Sequence, residues 1–201
     1  MACGSSNLEG MKKALEYSAR GIDWGAILLI SPDPVLSTID KWNKFIVYEL
    51  GKYIYTDFAL LIHPDGFVVN PESWRDEFLE YDYVGSIWPL PKDNYSYRDP
   101  LGNIIRVGNS VSLRSKRLLD LPNELSMEWM AYYGNTNEDG FLSVHNRHVF
   151  EANGCNFAPL GVAKWFGREH EVSENQDVDK PFVFHEFYGR NSQYRNLAIL
   201  L

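Results

Sequence analysis

Residues 57–70 read DFALLIHPDGFVVN: an apolar run, a sharp turn that holds Asp65, and a second apolar run. Pro-Asp-Gly is a common turn sequence, because aspartate bonds to the backbone of its own turn and glycine tolerates positive φ angles. His63 lies two residues before Asp65, and residues two apart on an extended segment project to the same side. The stretch therefore predicts either a purely structural turn or a carboxylate and an imidazole that converge on one ion.

The composition predicts one globular domain that spans residues 1–201. The chain is 45% hydrophobic and 14% aromatic, which is enough for one sizeable core. Its formal net charge of -8 disfavours a broad contact with a phosphate backbone, so we expect no nucleic-acid partner. Cys3 and Cys155 are too few for a zinc site of the Cys-x-x-Cys type.

The sequence shows no pattern of export or membrane insertion. The first residues lack the basic start and apolar stretch of a secretory signal. No apolar run approaches the roughly 18 residues that span a bilayer. We therefore expect a cytoplasmic protein with no membrane span. A homo-oligomer stays open, because a short sheet would leave an edge that a second copy could cover.

Strand and helix patterns alternate in the first half of the chain. After Asn7, a helical spacing of apolar residues ends near Gly21, and residues 26–30 then form a short continuous apolar run. A second helical pattern covers residues 42–54, directly before the strand at 58–62. A strand, helix, strand order predicts a parallel pair with a right-handed crossover, whose strand ends meet at the edge where α/β sheets bind ligands.

The second half of the chain carries further start and turn signals. The sequence from residue 70 is typical of a helix start and predicts a helix over 70–81. Residues 89–102 predict a mobile loop, and residues 121–137 predict a loop that covers apolar surface and could act as a flap. Ser115 and Asn137 are each placed to cap a following helix.

Glu138 and Asp139 form an acidic pair at the last of these predicted helix starts. The helix dipole favours acids at this position, so the pair needs no catalytic role. The functional alternative is a general base, or a second carboxylate near a metal, that the helix start presents into a cleft. Both interpretations remain open from the residues alone.

His185 and Arg114 each follow a strand-like run. The ordinary explanations are a buried histidine bonded to a backbone carbonyl and an arginine in a surface ion pair. As functional residues, His185 would join oxygen ligands in a site suited to Mn²⁺ or Mg²⁺. Arg114 would bind a diphosphate, because a guanidinium can hold two phosphate oxygens at once.

Several enzyme signatures are absent from the sequence. Residues 108–112 lack the second glycine of a nucleophile elbow, and neither a phosphate loop nor a dinucleotide fingerprint occurs. No histidine follows His170-Glu171 or His185-Glu186 at the zincin spacing. Serine hydrolases, P-loop ATPases, dinucleotide enzymes and zinc proteases are therefore disfavoured.

Seven segments, in a fixed order, carry a resemblance to a known family. They are HPDGFV at 63–68, NPESWRDEFL at 70–79, YDYVGS at 81–86, VGNSVSLRS at 107–115, NEDG at 137–140, FAPL at 157–160 and FVFH at 182–185. As a set they resemble a family of largely uncharacterised domains that look like GT-A glycosyltransferases. The resemblance covers Leu8 to about Tyr188, and it is specific for the family but not for a reaction or a substrate.

The resemblance implies an α/β, Rossmann-like fold of GT-A type, with a mostly parallel sheet flanked by helices and an N-terminus shorter than is usual in the class. It also implies a metal-dependent transferase that moves a sugar from a nucleotide-sugar donor to an acceptor hydroxyl. In such an enzyme, Mn²⁺ or Mg²⁺ neutralises the charge that develops on the leaving diphosphate. An acidic protein could bind an anionic donor in this way.

The resemblance further implies roles for particular residues. Asp65 would be the retained carboxylate of an Asp-x-Asp-type metal turn that begins at His63. His185 would complete that metal site. Glu138 and Asp139 would supply the base that activates the acceptor hydroxyl, with Asp139 as the first candidate.

Asn109, Ser112 and Arg114 lie in the segment that the resemblance places beside the donor sugar and the acceptor. In this segment, larger residues replace glycines that are usual in the family. Together with the short N-terminus, this suggests one alternative, a noncatalytic module that binds a carbohydrate or a nucleotide sugar. A separate alternative is a small metal-dependent phosphohydrolase, which needs the same acidic site but an attacking water.

Overall fold

The computed structural model of the chain describes residues 1–32, 36–130 and 137–198, which form a single mixed α/β domain of small sheets and helices. The strands are β1 (Ala2–Cys3), β2 (Leu29–Ile30), β3 (Phe58–Leu61), β4 (Tyr83–Ile87), β5 (Val107–Ser115), β6 (Gly167–Arg168) and β7 (Val183–Phe184). The α-helices are α1 (Leu8–Ser18), α2 (Ile39–Tyr48), α3 (Lys116–Glu124), α4 (Glu138–Gly140), α5 (Arg147–Ala152) and α6 (Leu160–Phe166). Short 3-10 helices cover Leu50–Tyr53, Pro71–Ser73, Asp76–Glu80, Ser173–Asn175 and Gly189–Ala198, and a π-helical turn covers Phe141–His145. Within these described ranges, we find no helix that is both long enough and apolar enough to cross a membrane.

The central sheet is antiparallel, with the strand order β3-β5-β4. β5 lies in the middle and pairs Leu113 with Leu60 on one side and with Val84 on the other. Its residues are almost all buried, as are those of β4. The prediction of a mostly parallel sheet is therefore wrong, and a GT-A-like arrangement of the chain stays a prediction.

The parallel strand pairs are short and lie outside this central sheet. β1 pairs with β2, and β6 pairs with β7. The apolar run at 26–30 does not pair with the strand at 58–62, because β1 lies between them and Met1 bonds through its backbone to Leu60 and Ile62. Apolar runs report burial but not direction. The direction of the central strands follows from β5, which doubles back beside β4 and β3.

Two of the three predicted caps are confirmed, and one predicted helix is wrong. α4 begins after Asn137 as predicted, but the Asn137 side chain makes no capping hydrogen bond. Asn7 and Ser115 accept hydrogen bonds from the first turns of α1 and α3, so both of these starts are confirmed. Residues 70–81 form two 3-10 helices separated at Trp74, whose ψ angle of 141° is not helical. The Trp74 ring packs edge-on against Phe182, with 5.2 Å between ring centroids. This tertiary contact accompanies a local conformation that the helix-start signal does not predict.

A cluster of buried phenylalanines connects the turn at residues 63–66 with the segment that contains His185. Phe67, Phe182 and Phe184 are fully buried. The ring centroids of Phe67 and Phe184 are 4.9 Å apart, and the rings pack edge-on. Phe67 directly follows the turn at 63–66, and Phe184 directly precedes His185. Burial of these rings therefore brings the turn and His185 to the same place.

The predicted covering loop at 121–137 is only partly described, because residues 131–136 lie outside the described residues. Residues 121–124 continue α3. Trp129 stacks on Phe141, with 5.2 Å between ring centroids and 21° between ring planes. The aromatic residue thus covers apolar surface as expected, and a flap stays a prediction.

Candidate metal centre and the adjoining acidic pair

His63, Asp65 and His185 form a cluster that we call the triad. Each offers one ligand atom, and these atoms all lie within 4.8 Å of one another. Nε2 of His185 lies 3.9 Å from Oδ1 of Asp65, and the centroids of the two imidazole rings are 5.3 Å apart. The structure thus brings together the residues that the sequence predicts as metal ligands. That they bind a metal stays a prediction.

Two backbone hydrogen bonds close the turn that carries the first two members of the triad. The His63 N–H donates to the Gly66 carbonyl (2.7 Å), and the Gly66 N–H donates to the His63 carbonyl (3.1 Å). A Cβ atom at Gly66 would lie 2.5 Å from Cγ2 of Val111 and 2.8 Å from Cδ2 of His185. Glycine is therefore required here because the His185 ring lies directly against the turn.

His185 is held by backbone bonds on both sides. Its N–H donates to the Arg168 carbonyl at the end of β6 (3.0 Å), and the next N–H, of Glu186, donates to the Asp65 carbonyl (2.8 Å). Glu186 has a φ of 64°, which is uncommon for a residue with a side chain. The chain therefore changes direction immediately after His185 and bonds directly to the turn at residues 63–66.

His63 is a neutral imidazole with an available ring nitrogen. Burial, with smaller effects of His185 and Arg114, lowers the pKa of His63 from 6.5 to about 3. Its Nε2 atom is buried and has no hydrogen-bond partner among the described residues. Such an atom costs stability unless something bonds to it. A metal ion in the triad is one group that would do so.

His185 has a different charge environment from His63. Burial lowers the pKa of His185, but the carboxylates of Glu169, Asp65 and Glu186 outweigh this effect and raise the pKa above its ordinary value. Nδ1 of His185 lies 3.3 Å from Oε1 of Glu169. The two nitrogens of this ring thus face two different carboxylates, Asp65 and Glu169.

Glu169 is a site residue that the sequence analysis misses. It follows β6 directly and lies beside His185, which follows β7 directly. Burial raises the pKa of Glu169, but His185, His170 and Trp88 together hold it below its ordinary value. No local sequence signal identifies it, because β6 is only two residues long and its pairing with β7 is a long-range contact.

Arg114 and Glu138 form a fully buried ion pair, which we call the buried pair. Nη2 of Arg114 lies 2.8 Å from Oε2 of Glu138, and both side chains are 0% exposed. Nε of Arg114 donates to Oγ of Ser112 (2.8 Å). The surface ion pair considered for Arg114 is therefore wrong, because the guanidinium is enclosed. Its Nη1 atom has no hydrogen-bond partner among the described residues.

Asp139 lies beside the buried pair and outside the triad. Burial is the main cause that raises the pKa of Asp139 from 3.8 to about 7, and the charge of Glu138 raises it further. The charge of Glu169, the carboxylate that contacts His185, also raises the pKa of Asp139. A carboxyl group with a pKa near neutrality has the property expected of a general base.

Asn109 adopts a strained backbone conformation at the start of β5. Its φ is 108°, and its Oδ1 atom accepts a hydrogen bond from the Val111 N–H (2.8 Å). The hydroxyl of Tyr83 donates to the Asn109 carbonyl (2.6 Å). Such strain costs roughly 1–3 kcal/mol and is concentrated at functional sites. The buried Nδ2 atom of Asn109 has no partner among the described residues.

A cavity of about 400 Å³ with a mixed polar and apolar lining opens next to His63. His63, Pro64 and Ser110 line it on the side of the triad, and hydroxyl and amide groups line much of the remainder. These polar residues are Ser5, Ser6, Ser37, Thr38, Asn43 and Asn137. The cavity is large enough for part of a drug-sized ligand.

A second cavity of about 450 Å³ lies elsewhere and is mainly apolar. Trp24, Ile27 and Leu28 contribute to its wall, together with Leu60 and Trp74. No member of the triad lines it. The larger of these two cavities is therefore not the one that adjoins the triad.

Comparison with known proteins identifies the family of the chain. The family described as Protein of unknown function (DUF5672) matches residues 28–185. No curated protein and no solved structure matches the chain. The matched range is most of the chain and includes the triad, the buried pair, Asp139 and Glu169. The chain therefore belongs to the DUF5672 family.

Proposed function

We propose that this protein is a metal-dependent glycosyltransferase-like enzyme, which transfers a sugar from a nucleotide-sugar donor to an acceptor hydroxyl. The observation that carries the proposal is the triad, whose members are adjacent in space although His63 and His185 are far apart in sequence. The cavity of mixed lining beside His63 supports it, because a donor bound there would lie next to the cation. The resemblance of the seven segments supports the reaction class.

The donor set of the triad favours Mn²⁺ over Mg²⁺. Two imidazoles and one carboxylate are available. Mg²⁺ prefers oxygen ligands, whereas imidazole suits borderline transition metals. When bound, the cation would neutralise negative charge on the diphosphate of the donor. Two imidazoles with one carboxylate also suit Zn²⁺ and Fe²⁺, so both belong in the tests as competing ions.

Asp139 is the proposed proton acceptor for the acceptor hydroxyl. Its pKa of about 7 keeps part of the population ionised at neutral pH, and an ionised group with this pKa can accept a proton efficiently. The buried pair fixes the start of α4, because Glu138 is held by Arg114. Arg114 therefore has a positioning role in this proposal, and its enclosed guanidinium does not replace the cation.

The proposal is tested by thermal unfolding with a panel of nucleoside diphosphates, each with and without Mn²⁺. A ligand that binds only the folded state raises stability by mass action, by about 2.7 kcal/mol at 100 times its dissociation constant. We expect a shift that needs both the diphosphate and Mn²⁺, and that Asp65→Asn abolishes. Asp40→Asn is the matched control, because the Asp40 and Asp65 side chains are 50% and 48% exposed.

The activity assays separate the proposed enzyme from its two alternatives. Sugar transfer to an acceptor panel, lost in Asp139→Asn, supports the transferase. Cleavage of the diphosphate by water, which releases a nucleoside monophosphate and a sugar 1-phosphate, indicates a phosphohydrolase. Release of free sugar and nucleoside diphosphate without any acceptor product indicates hydrolysis of the glycosidic bond. A metal-dependent shift with no turnover indicates a noncatalytic nucleotide-sugar binding module. If the wild type shows no shift with any diphosphate, the proposed donor site is wrong.

A further inference from the structure

The short parallel pair of β6 and β7 places a second carboxylate beside His185. The register pairs Gly167 with Val183 and Arg168 with Phe184. The next residues along the two strands are Glu169 and His185, and the backbone bond from His185 to Arg168 continues the pairing. Their contact, 3.3 Å between Oε1 and Nδ1, is therefore a consequence of strand register.

Glu169 and Asp65 face opposite nitrogens of the same ring. Nε2 of His185 lies 3.9 Å from Oδ1 of Asp65. Nδ1 lies 3.3 Å from Oε1 of Glu169, which is an ion-pair contact without full hydrogen-bond geometry. The Cδ2 atom, which adjoins Nε2, lies on the side of the turn next to Gly66. A neutral imidazole whose Nδ1–H donates a hydrogen bond to a carboxylate keeps the lone pair on Nε2 free for a metal ion.

The carboxylate of Glu169 is itself fixed in place. Its Oε2 atom accepts a hydrogen bond from Nε1 of Trp88 (3.0 Å). The Trp88 ring lies so close to Gly108 that a Cβ atom there would be 1.9 Å from it. Gly108 therefore allows Trp88 to reach Glu169, and each oxygen of the carboxylate has its own neighbour.

We propose that Glu169 is a positioning residue that holds His185 through Nδ1, so that Nε2 points toward Asp65 and the metal. This inference rests on the proposed metal binding by the triad. Glu169 does not join the ligand set, because it faces the ring nitrogen that is turned away from Asp65. In this role, Glu169 keeps His185 in one ring orientation and in one tautomer.

Titration of the metal-free protein with Mn²⁺ tests the effect on affinity. Removal of a carboxylate that supports a metal-ligating histidine typically weakens metal binding roughly 10- to 100-fold. We expect Glu169→Ala to show such a loss. Glu169→Gln should show a smaller one, because its amide oxygen keeps an acceptor opposite Nδ1 of His185. Glu174→Gln is the control, since Glu174 is also partly buried but pairs with Arg106.

Equal Mn²⁺ affinity in Glu169→Ala, Glu174→Gln and the wild type would overturn the positioning role. Trp88→Phe is a second variant that keeps the Glu169 carboxylate and removes the indole N–H that donates to it, together with part of a buried ring. It should weaken Mn²⁺ binding less than Glu169→Ala does. The unfolding temperatures of Trp88→Phe and of the control Glu174→Gln, measured without metal, show whether each variant is still folded during the titration. A loss of affinity in Glu174→Gln as large as in Glu169→Ala would also contradict the proposal.

Nitrogen NMR of His185 in the metal-free protein separates this inference from the proposed function. At alkaline pH, where the ring is neutral, we expect the proton on Nδ1 in the wild type and a mixture of tautomers in Glu169→Ala. An Nε2-protonated ring in the wild type would overturn the positioning role, whether or not Mn²⁺ binds. Wild-type protein with the expected tautomer but no Mn²⁺ binding would instead contradict the proposed function.

Discussion

The buried pair and the triad both gather ionisable side chains, but they differ in access to solvent and in charge balance. Arg114 and Glu138 are 0% exposed and face each other with opposite charges. In the triad, the Asp65 side chain is 48% exposed, and the other two groups are histidines. The buried pair is therefore enclosed by the fold, whereas the triad reaches solvent through Asp65.

The difference separates a structural charge cluster from a binding one. Removal of one member of a buried pair leaves an uncompensated charge, so the pair is sensitive to mutation whatever its function. An open set of ligand atoms contributes little to stability by itself. Its buried Nε2 atom on His63, which lacks a partner among the described residues, even costs stability. Stability measurements should thus detect the buried pair, and binding measurements should detect the triad.

The largest effect is expected at the buried pair. Glu138→Ala leaves the Arg114 guanidinium buried and unpaired, which typically costs about 3–5 kcal/mol of unfolding free energy. Urea denaturation measures this loss. Glu9→Ala is the control, because Glu9 is 78% exposed in its pair with Lys12 and should change stability far less than Glu138→Ala does.

A double variant sharpens the first prediction. Arg114→Met combined with Glu138→Leu removes both charges and keeps apolar volume, so it should recover much of the stability that Glu138→Ala loses. A double variant that is as unstable as Glu138→Ala would show that the site needs polar groups. That result would assign the buried pair a role beyond structure.

The second prediction concerns the pH dependence of stability at Asp139. Its pKa rises from 3.8 to about 7 on folding, so the folded state binds a proton more tightly than the unfolded state. The resulting stability is fully present below pH 3.8 and is lost as the pH rises to about 7. We expect Asp139→Asn to lack this decline in urea denaturation over that range. An unchanged decline would contradict the raised pKa, and Asp40→Asn controls for a lost surface charge.

The third prediction uses Gly66, where the turn meets His185. A Cβ atom at Gly66 would contact Val111, His185 and the backbone of Phe184 at 3.0 Å or less. Gly66→Ala should therefore cost about 1–3 kcal/mol through overpacking and should also weaken Mn²⁺ binding by displacing His185.

Gly161→Ala is the matched control for Gly66→Ala. Gly161 lies in α6, and an added Cβ atom would meet nothing within 4 Å. This variant should stabilise the protein by about 0.4–1 kcal/mol, because alanine restricts the unfolded chain. Similar effects of the two variants would contradict the close packing of the turn against His185.

The smallest expected change is the effect of Asp65→Asn on the metal-free protein. Because the Asp65 side chain is nearly half exposed, this substitution should change the unfolding free energy of the protein by no more than about 0.5 kcal/mol. Urea denaturation in a chelator measures this value. A loss comparable to that of Glu138→Ala would remove the distinction between the triad and the buried pair.

Local signals allowed part of the fold and of the site to be predicted. The caps at Asn7 and Ser115 are short-range interactions, and the structure confirms both helix starts. His63 and Asp65 are two residues apart, so their proximity is also local. The placement of His185 beside them was expected only from the family resemblance, because it depends on burial of Phe67 against Phe184.

The remaining features depend on contacts that the sequence does not specify locally. The direction of the central sheet follows from the pairing of β5 with β3 and β4. The interruption at Trp74 accompanies a contact with Phe182, more than a hundred residues away. Glu169 was missed because its role requires the register of β6 and β7, and nothing near it in sequence indicates that register.

The most direct test of the central claim is a crystal structure of the protein soaked in Mn²⁺, with anomalous data collected at the manganese edge. The account predicts an anomalous peak within bonding distance of His63, Asp65 and His185, and no such peak in Asp65→Asn crystals that are treated identically. A peak at another position, or no peak in the wild type at saturating Mn²⁺, would contradict the claim that the triad is a metal site.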